Sequence, residues 1–275
     1  MSIKPVDLVA FDLDGTILND EKKVSSTDWQ TLVELGAKNI LRVVATGRNH
    51  FSLIHVLPAD FPADFVVFSS GAGIMHWPSK KILYCQHMET GHLKEVVRVL
   101  INYRLNFTVH LPIPNNHHIL LHAAYPNAEN LLSYVNHYKD FVSPLVIENL
   151  PSEATQLIVL LNGQSHLFYE LKQQFPFVKT ILTTSPIDHK TLWMEIFHPA
   201  VSKANGLKWI CNHLKNPDMR TFGIGNDFND WDLLNHTHHS FVVSNAPNEM
   251  KTQFRQVTSN NESGFSQAIL EVFKN

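Results

Sequence analysis

Three times near its start the chain runs a short apolar segment straight into a small polar turn. Val6–Phe11 ends in Asp12-Leu13-Asp14-Gly15, Ile40–Ala45 in Thr46-Gly47, and Asp64–Phe68 in Ser69-Ser70-Gly71. Segments this apolar read as strands buried on both faces, and the stretches between them are long enough for helical crossovers. Residues 25–37 supply one, with apolar Trp29, Leu32, Val33 and Leu35 and with Ser25, Ser26 and Thr27 as candidate N-caps. This rhythm predicts a parallel sheet in an α/β fold.

The last quarter resumes the pattern. Ser202–Leu214 reads as helix, Arg220–Ile224 as strand, Asn229–Leu234 as the opening of a helix, Phe241–Val243 as strand and Ser263–Phe273 as a closing helix. Between the two blocks the texture changes. There the spacing predicts helix (Met88–Arg104), strands (Phe107–Leu111, Ile119–Ala123), helix (Ala128–Tyr138), strand (Gln156–Leu161), helix (His166–Gln174) and strand (Val178–Thr183). The expected architecture is therefore a Rossmann-like parallel-sheet core, residues 1–83 and 187–275, with an α+β domain, residues 84–186, inserted into it.

Composition excludes several classes. The 22 Lys and Arg against 25 Asp and Glu leave a formal charge of −3, without the cationic excess that nucleic-acid binding requires. The insert is as balanced, with six basic and seven acidic residues over 84–186. At 44% hydrophobic and 17% charged, the chain can fill a core. Two cysteines, Cys85 and Cys211, make no disulfide framework, and no apolar run spans a bilayer or forms a secretory leader. A cytoplasmic protein with neither a membrane nor an obligate protein partner is expected.

Four pieces of the chain carry chemistry. Asp12 and Asp14 stand two residues apart at the carboxyl end of a strand, where ligands bind in open α/β sheets. Carboxylates that close need a cation or a proton between them, and hard oxygen donors suit Mg²⁺; an Asp- and Gly-rich turn is an equally ordinary reading. Thr46, Gly47 and Arg48 offer a hydroxyl, an unobstructed N–H and a guanidinium to an oxyanion, or else a turn with a surface Arg. Lys203 opens a helix, where a cation opposes the dipole and calls for a compensating anion. Gly225-Asn226-Asp227-Phe228-Asn229-Asp230 brings acid and amide oxygens to another strand end, where it also reads as an N-cap region. Taken together, all four converge on one edge of the predicted sheet.

In these residues the chain resembles the haloacid dehalogenase-like hydrolases of the Cof-type branch. Asp12-Leu13-Asp14-Gly15-Thr16, Ala45-Thr46-Gly47-Arg48, Lys203 and Gly225–Asp230 match the four motifs in order, and Ser70-Gly71-Ala72, Glu195-Ile196, Asn245-Ala246, Val257-Thr258 and Gly264-Phe265 are lesser echoes. The resemblance places a cap domain where the insert lies. It implies a phosphatase acting on small phosphorylated metabolites such as sugar phosphates, with Asp12 as the nucleophile and Asp14 as the proton donor and acceptor. Thr46, Gly47, Arg48, Lys203 and Asn229 would hold the phosphoryl group, and Asp12, Asp14, Asn226 and Asp230 would form the Mg²⁺ site. A phosphotransferase or mutase, or a phosphate-binding protein with weakened catalysis, is the alternative.

Two positions depart from the family pattern. Asn226 stands where a metal-binding Asp is usual, so the metal should bind more weakly. In Lys203-Ala204-Asn205-Gly206 the Gly is displaced from its usual place after the Lys, which puts the packing of that helix in question. His117-His118 and His236-Thr237-His238-His239 lack the spacing of a zinc site and read as loop or strand-end residues.

Overall fold

In the computed structural model, residues 5–125, 129–136, 138–161, 163–184 and 191–274 are described. The chain divides into two compact units, residues 1–48, 53–84 and 202–275 forming the first and residues 49–52 and 85–201 the second.

The first unit is built on an eight-stranded sheet. Its order is Arg255–Val257, His239–Val243, Thr221–Gly225, Leu8–Phe11, Leu41–Ala45, Phe65–Phe68, Gly73–His76 and Lys81–Cys85. Leu8–Phe11 lies at the centre, fully buried, and runs parallel to both neighbours, with Ala10 beside Val43 on one side and Gly223 on the other. A strand covered on both faces and paired on both edges has no place for polar side chains, which is why its sequence is continuously apolar. Strand Gly73–His76 and the two edge strands, Lys81–Cys85 and Arg255–Val257, were not evident from the sequence. Lys81–Cys85 and Arg255–Val257 are mostly half-buried or exposed and so lack the apolar signature.

Two features fasten the helices of this unit. In Lys203–His213 the Ser202 hydroxyl caps the first turn by accepting from the Asn205 N–H (3.1 Å). A Cβ at Gly206 would stand 2.5 Å from Val67 Cγ1, so Gly206 is the residue that lets this helix press onto strand Phe65–Phe68. The close approach of this helix to the sheet thus falls at Gly206, two residues beyond the position directly after Lys203. Helix Ser26–Ala37 is tied to the closing helix Gly264–Phe273 through the fully buried Asp28. Its carboxylate accepts from the Ser266 N–H (3.0 Å), the Ser266 hydroxyl (2.6 Å) and the Ser25 hydroxyl (2.9 Å).

The second unit is α+β. Its six-stranded sheet has the order Lys179–Thr184, Leu192–Phe197, Gln156–Leu160, Phe107–His110, Ile119–His122 and Val142–Pro144. The pairs are antiparallel except the last, which is parallel. Helices Thr90–Asn102 and Ser165–Gln174 bury Leu93, Val96, Leu100, Leu167 and Leu171 against Phe107, Val109, Leu157, Val159 and Ile196. Met88 and Glu89, expected to open the helix that follows, instead pair with Glu153–Ala154 in a two-stranded ribbon. The helix expected at Ala128–Tyr138 is found at Glu129–Asn136; Ala128 and His137 lie outside the described residues.

The boundary between the units differs from expectation. The inserted unit runs to residue 201, past the expected limit at 186, a residue that itself lies outside those described. The reason is strand Leu192–Phe197, which pairs with Gln156–Leu160 on one side and Lys179–Thr184 on the other. Its residues are as apolar as those of a core strand, and only the pairing shows which sheet it joins.

Cys211 is buried in the first unit's core and Cys85 is exposed. Among the described residues no helix is long and apolar enough to cross a membrane.

Candidate active site

All the residues expected to carry chemistry lie in the first unit, at the carboxyl ends of its central strands except Lys203, which opens helix Lys203–His213. Asp12 directly follows Leu8–Phe11, and its N–H bonds the Ile224 carbonyl (3.1 Å), which continues the pairing with the neighbouring strand. Its side chain is 7% exposed. Lys203, with its side chain wholly buried, places Nζ 2.7 Å from Asp12 Oδ1 and 2.5 Å from Asp230 Oδ1, with Asn229 Oδ1 at 3.5 Å. The anion that a cation at this helix start called for is thus a pair of carboxylates on two other segments.

One cation serving two buried acids leaves a charge imbalance. Burial, with Asp230 and Asp14 adding to it, pushes the Asp12 carboxyl up to about 7 against the pull of Lys203. The Lys203 ammonium is disfavoured by burial, yet Asp12 and Asp230 together hold it above its ordinary value.

Asp230 departs from the expected metal set. Its Oδ1 is taken by Lys203 and its Oδ2 by the N–H groups of Asn226 (2.9 Å) and Asp227 (3.2 Å). With no exposure and both oxygens engaged, it fixes Lys203 and the backbone of its own turn instead of offering a ligand. Asp227 is the N-cap of that turn, accepting from the Phe228 N–H (2.8 Å) in a reciprocal capping box with Asp230.

Asp14 also differs from expectation, which required a carboxyl able to hold a proton. Arg48 grips it with two bonds, Nε to Oδ2 at 2.6 Å and Nη2 to Oδ1 at 2.7 Å, and Lys22 Nζ approaches Oδ1 at 3.3 Å. Burial alone would raise this acid; the two cations outweigh it and hold Asp14 below its usual value. In this arrangement Asp14 is a carboxylate, ready to accept a proton and not to give one. Arg48 therefore pairs with the acid and is not turned to open solvent.

Thr46 is buried, and its hydroxyl accepts from the Arg48 N–H (3.1 Å), so its own hydrogen remains to be donated. Gly47 lies beside Asn229: a Cβ there would be 3.5 Å from Asn229 Nδ2 and 3.6 Å from Ser70 Oγ. Asp12, Asp14, Thr46, Gly47, Arg48, Lys203, Asn226, Asn229 and Asp230 are therefore brought together by the fold.

The oxygens next to Asp12 form a donor set. The Thr16 hydroxyl lies 3.3 Å from Asp12 Oδ2 and 3.1 Å from Asn226 Oδ1, so these two oxygens converge on one point. Gly15, at φ +74°, is required there, because a Cβ would fall 2.5 Å from Asn226 Nδ2. A carboxylate and an amide oxygen are hard donors of the kind that hold Mg²⁺. Among the described residues no three His, Cys, Asp or Glu side chains cluster as a metal site, so such a site would depend on neutral oxygens.

Sequence reasoning gave no role to Thr16, Lys22, Asn245 or Asn260. Thr16 and Asn245 stood within recognised motifs, whereas Lys22 and Asn260 carried no local signal. The discounted histidines are engaged elsewhere. His117 stacks on Phe51 at 4.7 Å within the second unit, and His238 Nδ1 accepts from the Thr221 N–H (3.1 Å).

Comparison with known proteins agrees with this geometry. The sequence profile of a family described as haloacid dehalogenase-like hydrolase matches residues 9–269. Protein M6_Spy0533 of Streptococcus pyogenes serotype M6 is 28% identical over 284 residues, covering 98% of each chain. The 5-amino-6-(5-phospho-D-ribitylamino)uracil phosphatase YitU of Bacillus subtilis is 24% identical over 285 residues, covering 99% of both. Among solved structures, BT1666 of Bacteroides thetaiotaomicron, a phosphatase of the same superfamily, superposes with a TM-score of 0.79 at 17% identity, over 98% of this chain and 95% of that one. At that identity the likeness establishes the fold alone.

Proposed function

The chain belongs to the haloacid dehalogenase-like hydrolases and is a phosphoric monoester hydrolase of that family, and from that premise we propose that it hydrolyses small phosphorylated metabolites, with Mg²⁺, through a phosphoryl group carried on Asp12. The observation that carries this reading is the Asp12 carboxylate itself. One oxygen is fixed by Lys203 and the other lies beside the amide oxygen of Asn226 at a strand's carboxyl end.

In the first step an Asp12 oxygen forms a bond to phosphorus while the bond from phosphorus to the leaving oxygen breaks, and that oxygen takes a proton from Asp14. In the second, water attacks the same phosphorus and gives its proton to Asp14, and the bond to Asp12 breaks. The sum is ester plus water giving alcohol plus phosphate. Asp14 enters the cycle paired with Arg48 and must hold a proton for the first step, so Arg48 has to leave it when substrate binds. A phosphoryl dianion, itself a bidentate acceptor for a guanidinium, is the natural competitor for that Arg.

Thr46, the Gly47 N–H and Lys203 would hold the phosphoryl oxygens. Mg²⁺, held by Asp12, the Asp14 carbonyl and Asn226, would supply positive charge to those oxygens, since phosphoryl transfer is governed by positioning and electrostatics. The second unit would set the choice of substrate.

The test is phosphate release from a panel of sugar phosphates, polyol phosphates and the phosphoribityl compound named for YitU, with and without Mg²⁺. Mg²⁺-dependent turnover is expected, with a loss of at least about a thousandfold in Asp12→Asn and a phosphorylated Asp12 peptide after rapid quenching. Turnover unaffected by Asp12→Asn would refute the nucleophile. Binding of these esters without Mg²⁺-dependent turnover would refute the substrate and metal assignment.

A further inference from the structure

We propose that Asn245 is a positioning residue for Asp14, fixing the turn that carries it through the Gly15 carbonyl. This rests on the reading of Asp14 as the proton carrier, and it adds a residue to which nothing above gives a part in the reaction.

The turn after Asp12 is tied from within through the Leu13 carbonyl and a single bridge between Asp14 and Leu18. The N–H groups of Thr16, Ile17 and Leu18 all point back to the Leu13 carbonyl, at 3.2, 3.2 and 2.9 Å. Asp14 and Gly15 form the arch that these bonds enclose, and Gly15, at φ +74° and without a side chain, is its most pliable link. From outside the turn, Arg48 and Lys22 grip the Asp14 side chain, whereas the Gly15 carbonyl is held by a separate contact.

Asn245 makes that contact from the turn after strand His239–Val243. Its Nδ2 donates to the Gly15 carbonyl at 2.8 Å, and its Oδ1 accepts from the Asn260 N–H at 3.2 Å. With a partner at each end, the amide has one orientation. Asn260, 4% exposed, in turn donates from Nδ2 to the Leu18 carbonyl (3.0 Å) and to Asp20 Oδ1 (3.2 Å). The loop is thus held at Gly15 and at Leu18 by two asparagines that also hold each other. A Cβ on Gly15 would meet Asn226 Nδ2 at 2.5 Å and Asn245 Nδ2 at 3.6 Å, so both side chains pack closely against this glycine. Without the Asn245 bond, the Gly15 peptide plane could rotate, and the Asp14 carboxyl, one residue away, would lose its aim at the leaving oxygen. A displacement of about 1 Å at a reacting group costs on the order of a hundredfold in rate.

This role has a readout that general loosening would not produce. Proton donation matters when the leaving group is an alkoxide and hardly matters for p-nitrophenolate. We therefore compare kcat/KM, which reports transfer to Asp12, for an alkyl phosphate that the enzyme turns over and for p-nitrophenyl phosphate, in the wild type, Asn245→Ala, Asn245→Asp and Asp14→Asn. Asn245 is exposed, and melting curves identify any variant that fails to fold. In Asn245→Ala the loss on the alkyl ester is expected to exceed that on the aryl ester by about tenfold or more. Asn245→Asp keeps the acceptor for Asn260 but turns an oxygen toward the Gly15 carbonyl, so it should show the same split. Equal losses on both esters, or recovery in Asn245→Asp, would overturn the proposal in favour of a structural link to Asn260. If Asp14→Asn itself shows no split, it is the proton-carrier reading that fails, and the proposal fails with it.

Discussion

Lys203→Met tests the buried charge arrangement most directly. The ammonium lies wholly inside the protein, 2.7 Å from Asp12 and 2.5 Å from Asp230, the carboxylates being 7% and 0% exposed. Met fills a similar volume, so the substitution removes charge more than packing. Taking one partner out of a buried ion pair costs about 3–5 kcal/mol, because the charge left behind has no compensation. Here the cost must depend on pH. With Lys203 present, Asp12 is already raised from 3.8 to about 7, and removing the cation raises it further. A carboxyl whose folded value lies above its unfolded value binds more protons folded than unfolded between the two, so stability falls as pH rises through that window. Urea unfolding in EDTA at pH 5 and pH 8 would measure the difference between variant and wild type. The deficit should reach about 3–5 kcal/mol at pH 8 and shrink by at least half at pH 5, where a proton stands in for the ammonium. Asp230→Asn in the variant background should restore part of it at pH 8. A deficit below about 1 kcal/mol at pH 8, or one that grows on acidification, would refute the assignment.

Other perturbations separate the site from its scaffold. Asn226→Asp adds a charged ligand and should lower the Mg²⁺ concentration needed for half-maximal activity several-fold, with tighter Mn²⁺ binding by calorimetry; no change, or complete loss, would count against Asn226 as a ligand. Asp28→Ala leaves the Ser266 N–H and two hydroxyls without their acceptor and should cost about 3 kcal/mol in urea unfolding, with kcat/KM little changed. His110 is buried and held down to about 4, so the unfolded chain takes up its proton first as pH falls through the range 6.5 to 4. The protein should lose about 3 kcal/mol over that window, and His110→Gln should flatten this part of the profile; an unchanged profile would exclude His110 as the cause.

The parallel core was legible because its physics is local. Leu8–Phe11 and Phe65–Phe68 are apolar without interruption because both faces are buried, and Leu41–Ala45 and Thr221–Gly225 depart from this only at Arg42 and Thr221. The edge strands Lys81–Cys85 and Arg255–Val257 face solvent in part and carry no such mark. Leu192–Phe197 was placed with the wrong unit, because an apolar strand does not encode its partner. The site residues were legible as types at strand ends, but their pairings were not. That Arg48 and Lys22 hold Asp14, and that Lys203 takes up both oxygens it meets on Asp12 and Asp230, are properties of distances between remote segments.

The sequence by itself determined the succession of buried strands, the polar turns that end them, and the acids, amides and cations placed there, because each follows from neighbours within a few positions. Only the tertiary structure decided what those groups do to one another. Charge interactions and desolvation depend on separations of a few ångströms between residues such as Asp12 and Lys203, which lie 191 positions apart in the chain and meet only once it has folded.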